Sequence, residues 1–179
     1  PPLASELRAQ KDREDAQSLV QEITSASVTV LKPGPFPSRT TPTLVIFPRI
    51  PDAMAAQVTV ESEMLRGEAW LAETFRAMGL SNMTLKSVGL MPAADDIQSA
   101  ADQAQSAEQT VLFLYDAHAE PSNRALLEAV QNSARQLTVV LLRDMYDQAL
   151  VKDGVLCITN YGLRVGDIQA VLRKIWPPV

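Results

Sequence analysis

The sequence predicts an α/β fold: a three-layer α/β/α sandwich around a mostly parallel sheet of about six strands. Three observations predict it. Short apolar runs recur at 43–47, 111–115, 137–142 and 154–159, the pattern of strands covered on both faces. Amphipathic stretches separate several of them, and strands alternating with helices build βαβ crossovers that coat both sides of a sheet. The 179 residues, 46% hydrophobic and 21% charged, suffice for one ordinary globular core, so residues 1–179 are expected to form a single domain.

In chain order, residues 12–26 place Ala16, Leu19, Val20 and Ile23 on one helical stripe behind a charged start. A helix with one buried face is expected there. Ser27 to Lys32 alternates β-branched residues and reads as a strand, so 10–32 is a leading helix and first strand. Residues 33–42 open with Pro33-Gly34-Pro35-Phe36-Pro37, which lacks the amide donors of a helix or ladder, and form a proline-rich loop. Thr43 to Phe47 reads as a central parallel strand stopped by Pro48. Residues 67–78 set Ala69, Trp70, Leu71, Phe75 and Met78 on one side of a helix, and Gly79 stands where a left-handed C-cap is wanted. Residues 82–88 alternate weakly, as a strand near an edge does.

Asp95 and Asp96 open a helix over 94–107, at the positive end of its dipole. Its Ala, Gln and Ser content suggests a solvated surface helix. A buried strand follows at 111–115, then Pro121 in the first turn before a helix over 123–136. Strands at 137–142 and 154–159 and a closing helix at 166–176, ended by Pro177-Pro178, complete the set.

Several function classes are excluded. Sixteen Lys and Arg against 21 Asp and Glu give a net charge of −5, a sign that repels phosphate backbones, and no basic patch counters it. Nucleic acid is therefore not an expected partner. No apolar run approaches the roughly 20 residues that span a bilayer. Cys157 and His118 are each the only residue of their type, which rules out a disulfide framework, a two-histidine metal site and a histidine relay within the chain. No G-x-S-x-G elbow, G-x-G-x-x-G turn or P-loop occurs, so nucleophilic catalysis and nucleotide cradling lack candidates, and neither cofactor nor metal is expected. Pro1-Pro2-Leu3 carries no initiator Met and no charged-then-apolar leader, so a processed product or excised piece is expected.

In open parallel sheets ligands gather beyond the carboxyl ends of the strands. The segments at those ends are Phe47-Pro48-Arg49, Tyr115 to Glu120, Leu142 to Asp147 and Thr159-Asn160-Tyr161-Gly162. They are expected to bring Arg49, Asp116, His118, Arg143, Tyr146, Asn160 and Tyr161 onto one rim, suited to sugar hydroxyls or a partner surface. The same residues could equally be solvated loop and capping groups. Asp116 and His118 could form an acid and base pair. Glu61 with Glu63, Asp95 with Asp96 and Asp144 with Asp147 carry no catalytic assignment from spacing alone.

The order of helix 12–26, strand Ser27 to Lys32, proline loop and strand 44–47 resembles the start of the C-terminal α/β sandwich domain of glycoside hydrolase family 3. Leu141-Leu142-Arg143-Asp144-Met145-Tyr146-Asp147 is similar to that domain's strand and Arg-x-x-Tyr-Asp turn. Thr159-Asn160-Tyr161-Gly162 followed by Asp167 to Leu172 is similar to its Tyr-Gly turn and closing helix. Asp144-Met145 stands where the family often has Asn-Pro, and Pro33-Gly34 replaces the usual Asn after the first strand.

The branch most resembled is the two-domain bacterial β-N-acetylhexosaminidases, retaining enzymes acting on terminal N-acetylglucosamine. The resemblance implies a partner, the N-terminal catalytic barrel of the same polypeptide, and N-acetylglucosamine-containing glycans as ligands. It also implies that the barrel, absent from this chain, carries the nucleophilic Asp and the loop His, so no residue here is assigned as catalytic and His118 does not inherit that role. Retaining chemistry needs two groups flanking the bond, about 5 to 5.5 Å apart where both are carboxylates. In the glucosidase-like branch the second domain supplies an acid/base Glu, for which Glu61, Glu63 or Glu120 would be the candidates. Against this stands a free-standing, non-catalytic α/β module that binds a small molecule at the same rim. A domain once covered by a barrel should expose a contiguous apolar patch, and a self-sufficient module should not.

Overall fold

The computed structural model describes residues 4–49 and 67–178. In chain order it contains α1 (Ala4–Ser27), β1 (Thr29–Lys32), β2 (Thr43–Arg49), α2 (Gly67–Ala77), β3 (Met83–Gly89), α3 (Ala94–Ser106), β4 (Gln109–Tyr115), α4 (Pro121–Ser133), β5 (Leu137–Leu142), a 3-10 turn (Tyr146–Leu150), β6 (Leu156–Thr159) and α5 (Val165–Ile175). The strands form one six-stranded sheet in the order β1-β6-β5-β4-β2-β3. All neighbours are parallel except β1, which runs antiparallel to β6 along one edge. The expected α/β/α sandwich is therefore the observed fold, with the weakly alternating β3 at the opposite edge.

Each apolar strand divides its side chains between two cores, because successive residues point to opposite faces. Val45, Phe47, Val111, Phe113, Val140, Leu142, Leu156 and Ile158 meet Leu71 and Phe75 of α2 and Ile168, Val171, Leu172 and Ile175 of α5. Leu44, Ile46, Leu112, Leu114, Val139, Leu141 and Cys157 face Ala100 and Ala104 of α3 and Leu126, Leu127 and Val130 of α4. Burial pushes the Cys157 thiol up to about 12, which leaves it protonated and unreactive at neutral pH. Among the described residues no helix is long and apolar enough to cross a membrane.

Four local expectations are corrected. The leading helix begins at Ala4, and its stripe is not buried: Leu19, Val20 and Ile23 are 56%, 59% and 60% exposed. Amphipathic spacing specifies a face to cover but not what covers it. Pro48 does not stop β2, which pairs with β3 as far as Arg49. The β4 ladder ends earlier, at Ile46 opposite Leu112, so the proline's missing donor falls where that neighbour no longer bonds. Helix α3 is not simply solvated, since Ala100, Ala101 and Ala104 are buried; small side chains let it lie close against the sheet and α4. Helix α4 ends at Ser133, three residues short of expectation, with Pro121 in its first turn.

The proline-rich loop acts as a strap. Gly34 lies so close to β6 that a Cβ added there would stand 2.3 Å from the Leu156 amide nitrogen. Further on, Arg39 donates hydrogen bonds to the carbonyls of Trp176 and Pro177, just past α5, at 3.0 and 2.8 Å, and to Met78, just past α2, at 2.5 Å. One guanidinium thus satisfies orphan carbonyls at two helix C-termini and complements both dipoles. Gly79 follows with φ +70° and closes α2, as its position in the sequence implies.

Two substitutions test this strap. Arg39→Ala should lower unfolding free energy by about 2 kcal/mol, because bonds from a charged donor are lost at once; an unchanged urea midpoint would show that the clamp contributes nothing. Gly34→Ala should cost about 1–3 kcal/mol through overlap with backbone that cannot rotate away, and a neutral result in the same titration would contradict the close approach.

Candidate functional site

The crossovers define where a ligand can enter. From β2 the chain passes through α2 on one face to β3, whereas from β4 it passes through α4 on the other face to β5. The connections diverge between β2 and β4, and their carboxyl ends border the switch-point crevice of an open α/β sheet. Arg49 ends β2 on one side of this point; the segment from Asp116 to Glu120 leaves β4 on the other.

Backbone strain concentrates on the same rim. Asp116, Arg143 and Tyr161, which follow β4, β5 and β6 closely, have φ of 45°, 80° and 60°, and they are the non-glycine residues with positive φ among those described. Left-handed backbone at a residue bearing a Cβ costs on the order of 1–3 kcal/mol and persists only where surrounding contacts hold it. At Asp116 and Arg143 the contacts are electrostatic. Arg143 Nη1 donates to Asp116 Oδ2 at 2.6 Å and to the Tyr115 hydroxyl at 3.3 Å, and its guanidinium stands 6.0 Å from the Tyr115 ring centroid.

Asp147 is the centre of a second set of bonds. Carried on the 3-10 turn after β5, it is 2% exposed and accepts from the backbone N–H groups of Ala117 at 2.8 Å and His118 at 2.6 Å. Its Oδ1 also lies 2.9 Å from His118 Nδ1, and the imidazole packs edge-on to Tyr146 at 5.4 Å between centroids. The expected pairing of Asp116 with His118 is corrected by this geometry. Asp116 is held by Arg143, and the carboxylate serving His118 comes from 29 residues further along the chain. Sequence spacing could not reveal that, since the turn between β5 and β6 places Asp147 beneath the β4 loop. The available signal was the Tyr146-Asp147 pair of the Arg-x-x-Tyr-Asp turn.

Of the seven rim residues, the structure clusters Asp116, His118, Arg143 and Tyr146. Tyr161 is exposed at the end of β6. Asn160 is not on the surface at all: it is 4% exposed, and neither of its amide atoms has a hydrogen-bond partner. Arg49 is exposed and takes no part in the bonds just described. Glu120 caps α4, accepting from the Ser122 amide and hydroxyl at 3.3 and 3.0 Å, a role that engages the carboxylate the glucosidase-like reading would need. Glu61 and Glu63 lie outside the described residues.

Burial pushes Asp116 above the usual carboxylate value, helped by the negative charges of Asp144 and Asp147 and opposed by Arg143 and His118. Arg143 is raised in turn, first by its hydrogen bond to Tyr115 and then by the charge of Asp116. The two directions disagree about how favourable the pair is. The 2.6 Å contact decides for an ion pair, one whose carboxylate is charged at a desolvation cost. Oxygens of Asp116 and Asp144 and a nitrogen of His118 come within 4.8 Å of one another, a spacing that could hold a metal ion. The Arg143 guanidinium already supplies the positive charge there, and Asp147 occupies Nδ1, so the chemistry is that of an ion-pair network. A groove of about 790 Å³ between α2 and α5, lined by Trp70, Thr74, Met78, Gln169 and Arg173 among others, lies on the helical layer and holds no comparable convergence of groups.

The sequence matches no family model and no curated protein. Solved structures do share its fold. A glycoside hydrolase family 3 β-N-acetylglucosaminidase from Paenibacillus sp. str. FPU-7 superimposes with a TM-score of 0.72 at 21% identity, over 90% of this chain and 30% of that one. A family 3 β-glucosidase from Bifidobacterium adolescentis gives 0.71 at 15% identity, over 93% and 27%. A family 3 exo-β-xylosidase gives 0.62 at 15% identity, over 90% and 24%. The chain spans less than a third of the length of each of these neighbours.

The raised Asp116 has a signed consequence. A carboxyl whose folded pKa lies above its unfolded value of 3.8 contributes stability that is fully present below that value and lost as pH rises through the folded one. The unfolding free energy of the wild type relative to Asp116→Asn should therefore be higher at about pH 3 than at about pH 7. Asn tolerates the left-handed backbone, so the comparison isolates the charge. A wild type that gains on the variant as pH rises would reverse the assignment.

Proposed function

We propose that this chain is the sandwich domain of a retaining glycoside hydrolase of family 3, of the β-N-acetylhexosaminidase kind, inactive alone and completed by a catalytic barrel in the same polypeptide. The observation that carries this reading is the stripe of Leu19, Val20 and Ile23, three large apolar side chains more than half exposed on consecutive turns of α1. A soluble module that stood by itself would pay for that exposure in solubility with nothing gained. A domain that packs against a larger one needs such a face.

The fold likeness supports the same reading, because neighbours acting on three kinds of β-linked sugar carry this sandwich as under a third of their length. The hexosaminidase assignment rests on the strand-end turns and on Glu120, whose capping bonds make it a poor acid/base of the glucosidase kind. The clustered rim, with exposed Tyr146 beside charged groups, suits the apolar face and hydroxyls of a sugar such as terminal N-acetylglucosamine.

Three results test the proposal. The isolated chain should not hydrolyse a chromogenic N-acetylglucosaminide; robust turnover would end the reading. The coding sequence ahead of Pro1 should encode a barrel, and a start codon directly before Pro1 would equally end it. Leu19→Glu with Ile23→Glu should abolish association with the separately produced barrel while shifting the domain's own stability by no more than about 0.5 kcal/mol, as exposed substitutions do. Undiminished association would remove α1 from the interface.

A further inference from the structure

We propose that His118 Nε2 is the hydrogen-bond acceptor of this rim, with Asp147 as its positioning residue, and that it receives a hydroxyl of the ligand bound there. The inference rests on the sugar-binding reading above for the identity of that hydroxyl, but the state of the imidazole can be tested without it.

Asp147 is buried and accepts from two successive backbone amides as well as facing Nδ1. A carboxylate that is acceptor only requires the neutral imidazole to carry its proton on Nδ1. That leaves the lone pair on Nε2, the nitrogen without a partner among the described residues, on a side chain that is 39% exposed while its carboxylate partner is 3% exposed. Free imidazole prefers no such arrangement strongly; here the ring is fixed at one edge by Asp147 and braced by the Tyr146 ring. Orientation and tautomer are both set by a buried acid, which leaves the opposite nitrogen as a fixed hydrogen-bond acceptor.

The surroundings fit the same role. Asp116 and Asp144 lie near the ring, Arg143 balances Asp116, and Arg124 donates to the His118 carbonyl at 3.2 Å. The ligand hydroxyl donates to Nε2 and keeps its proton, while Nδ1–H stays bonded to Asp147. Asp147 touches no ligand and acts only through the ring.

Because His118 is the single histidine, the test needs no assignment by elimination. Nitrogen-15 spectra of the whole chain at a pH where the ring is neutral should show Nδ1 protonated and Nε2 bare. The Nε2–H tautomer, or an even mixture, overturns the proposal, and it does so while leaving the fit to a barrel untouched. Diethyl pyrocarbonate supplies the second readout: Nε2 attacks the acyl carbon, ethyl carbonate leaves, and Nδ1 releases its proton. Asp147→Asn should slow this acylation at least about tenfold and move the resting proton to Nε2. Equal rates in a folded variant overturn the positioning role. If the variant does not fold, the wild-type tautomer decides the question by itself.

Discussion

Burial of the sheet on both faces is the constraint from which the rest follows. Strands β2, β4, β5 and β6 contribute side chains to both cores, with no polar face left for solvent. At about 25 cal/mol per Å² of apolar surface removed from water, each such strand must be covered twice. Helices α2 and α5 on one side and α3 and α4 on the other do so, and parallel pairing forces the connections among β2 to β6 to cross over. Polar and charged residues are consequently expelled to the ends of the strands, where Asp116, His118, Arg143, Asp147 and Tyr161 reside. The site is a product of the core's demand for apolar residues.

At that rim, buried charge does the organising. Asp147 could not remain 2% exposed without partners, and it finds three on the loop after β4. Its bonds tie the β5–β6 connection to the β4 loop, while the Arg143–Asp116 contact ties the ends of β5 and β4 directly. Together they offset the left-handed backbone at Asp116 and Arg143. A scaffold that only needed to close two loops would do so more cheaply with glycine. Here side chains are kept at strained positions because the charges they carry bond one another across the two loops.

Helix α1 stands apart from this economy. It packs beside α5, yet turns its own apolar stripe to solvent. The helix period and the stripe were legible in residues 12–26; the direction of the stripe was not, because periodicity gives a face without naming its neighbour. The same division runs through the strands. Their apolar runs identified them, but Pro48 within β2 could be tolerated only because the adjacent ladder had already ended.

By itself the sequence determined the fold class, the six strands and most of their limits, since those depend on local hydrophobic period and on proline and glycine punctuation. It also brought Asp116, His118, Arg143 and Tyr146 to one rim, because parallel strands deliver their carboxyl ends together. Only the tertiary structure decided who pairs with whom. His118 meets Asp147 rather than Asp116, Asn160 turns inward and Glu120 caps a helix, for the choice among carboxylates depends on ångström-scale distances between loops that lie far apart along the chain. Sequence spacing measures neighbours along the backbone, and electrostatics acts across space.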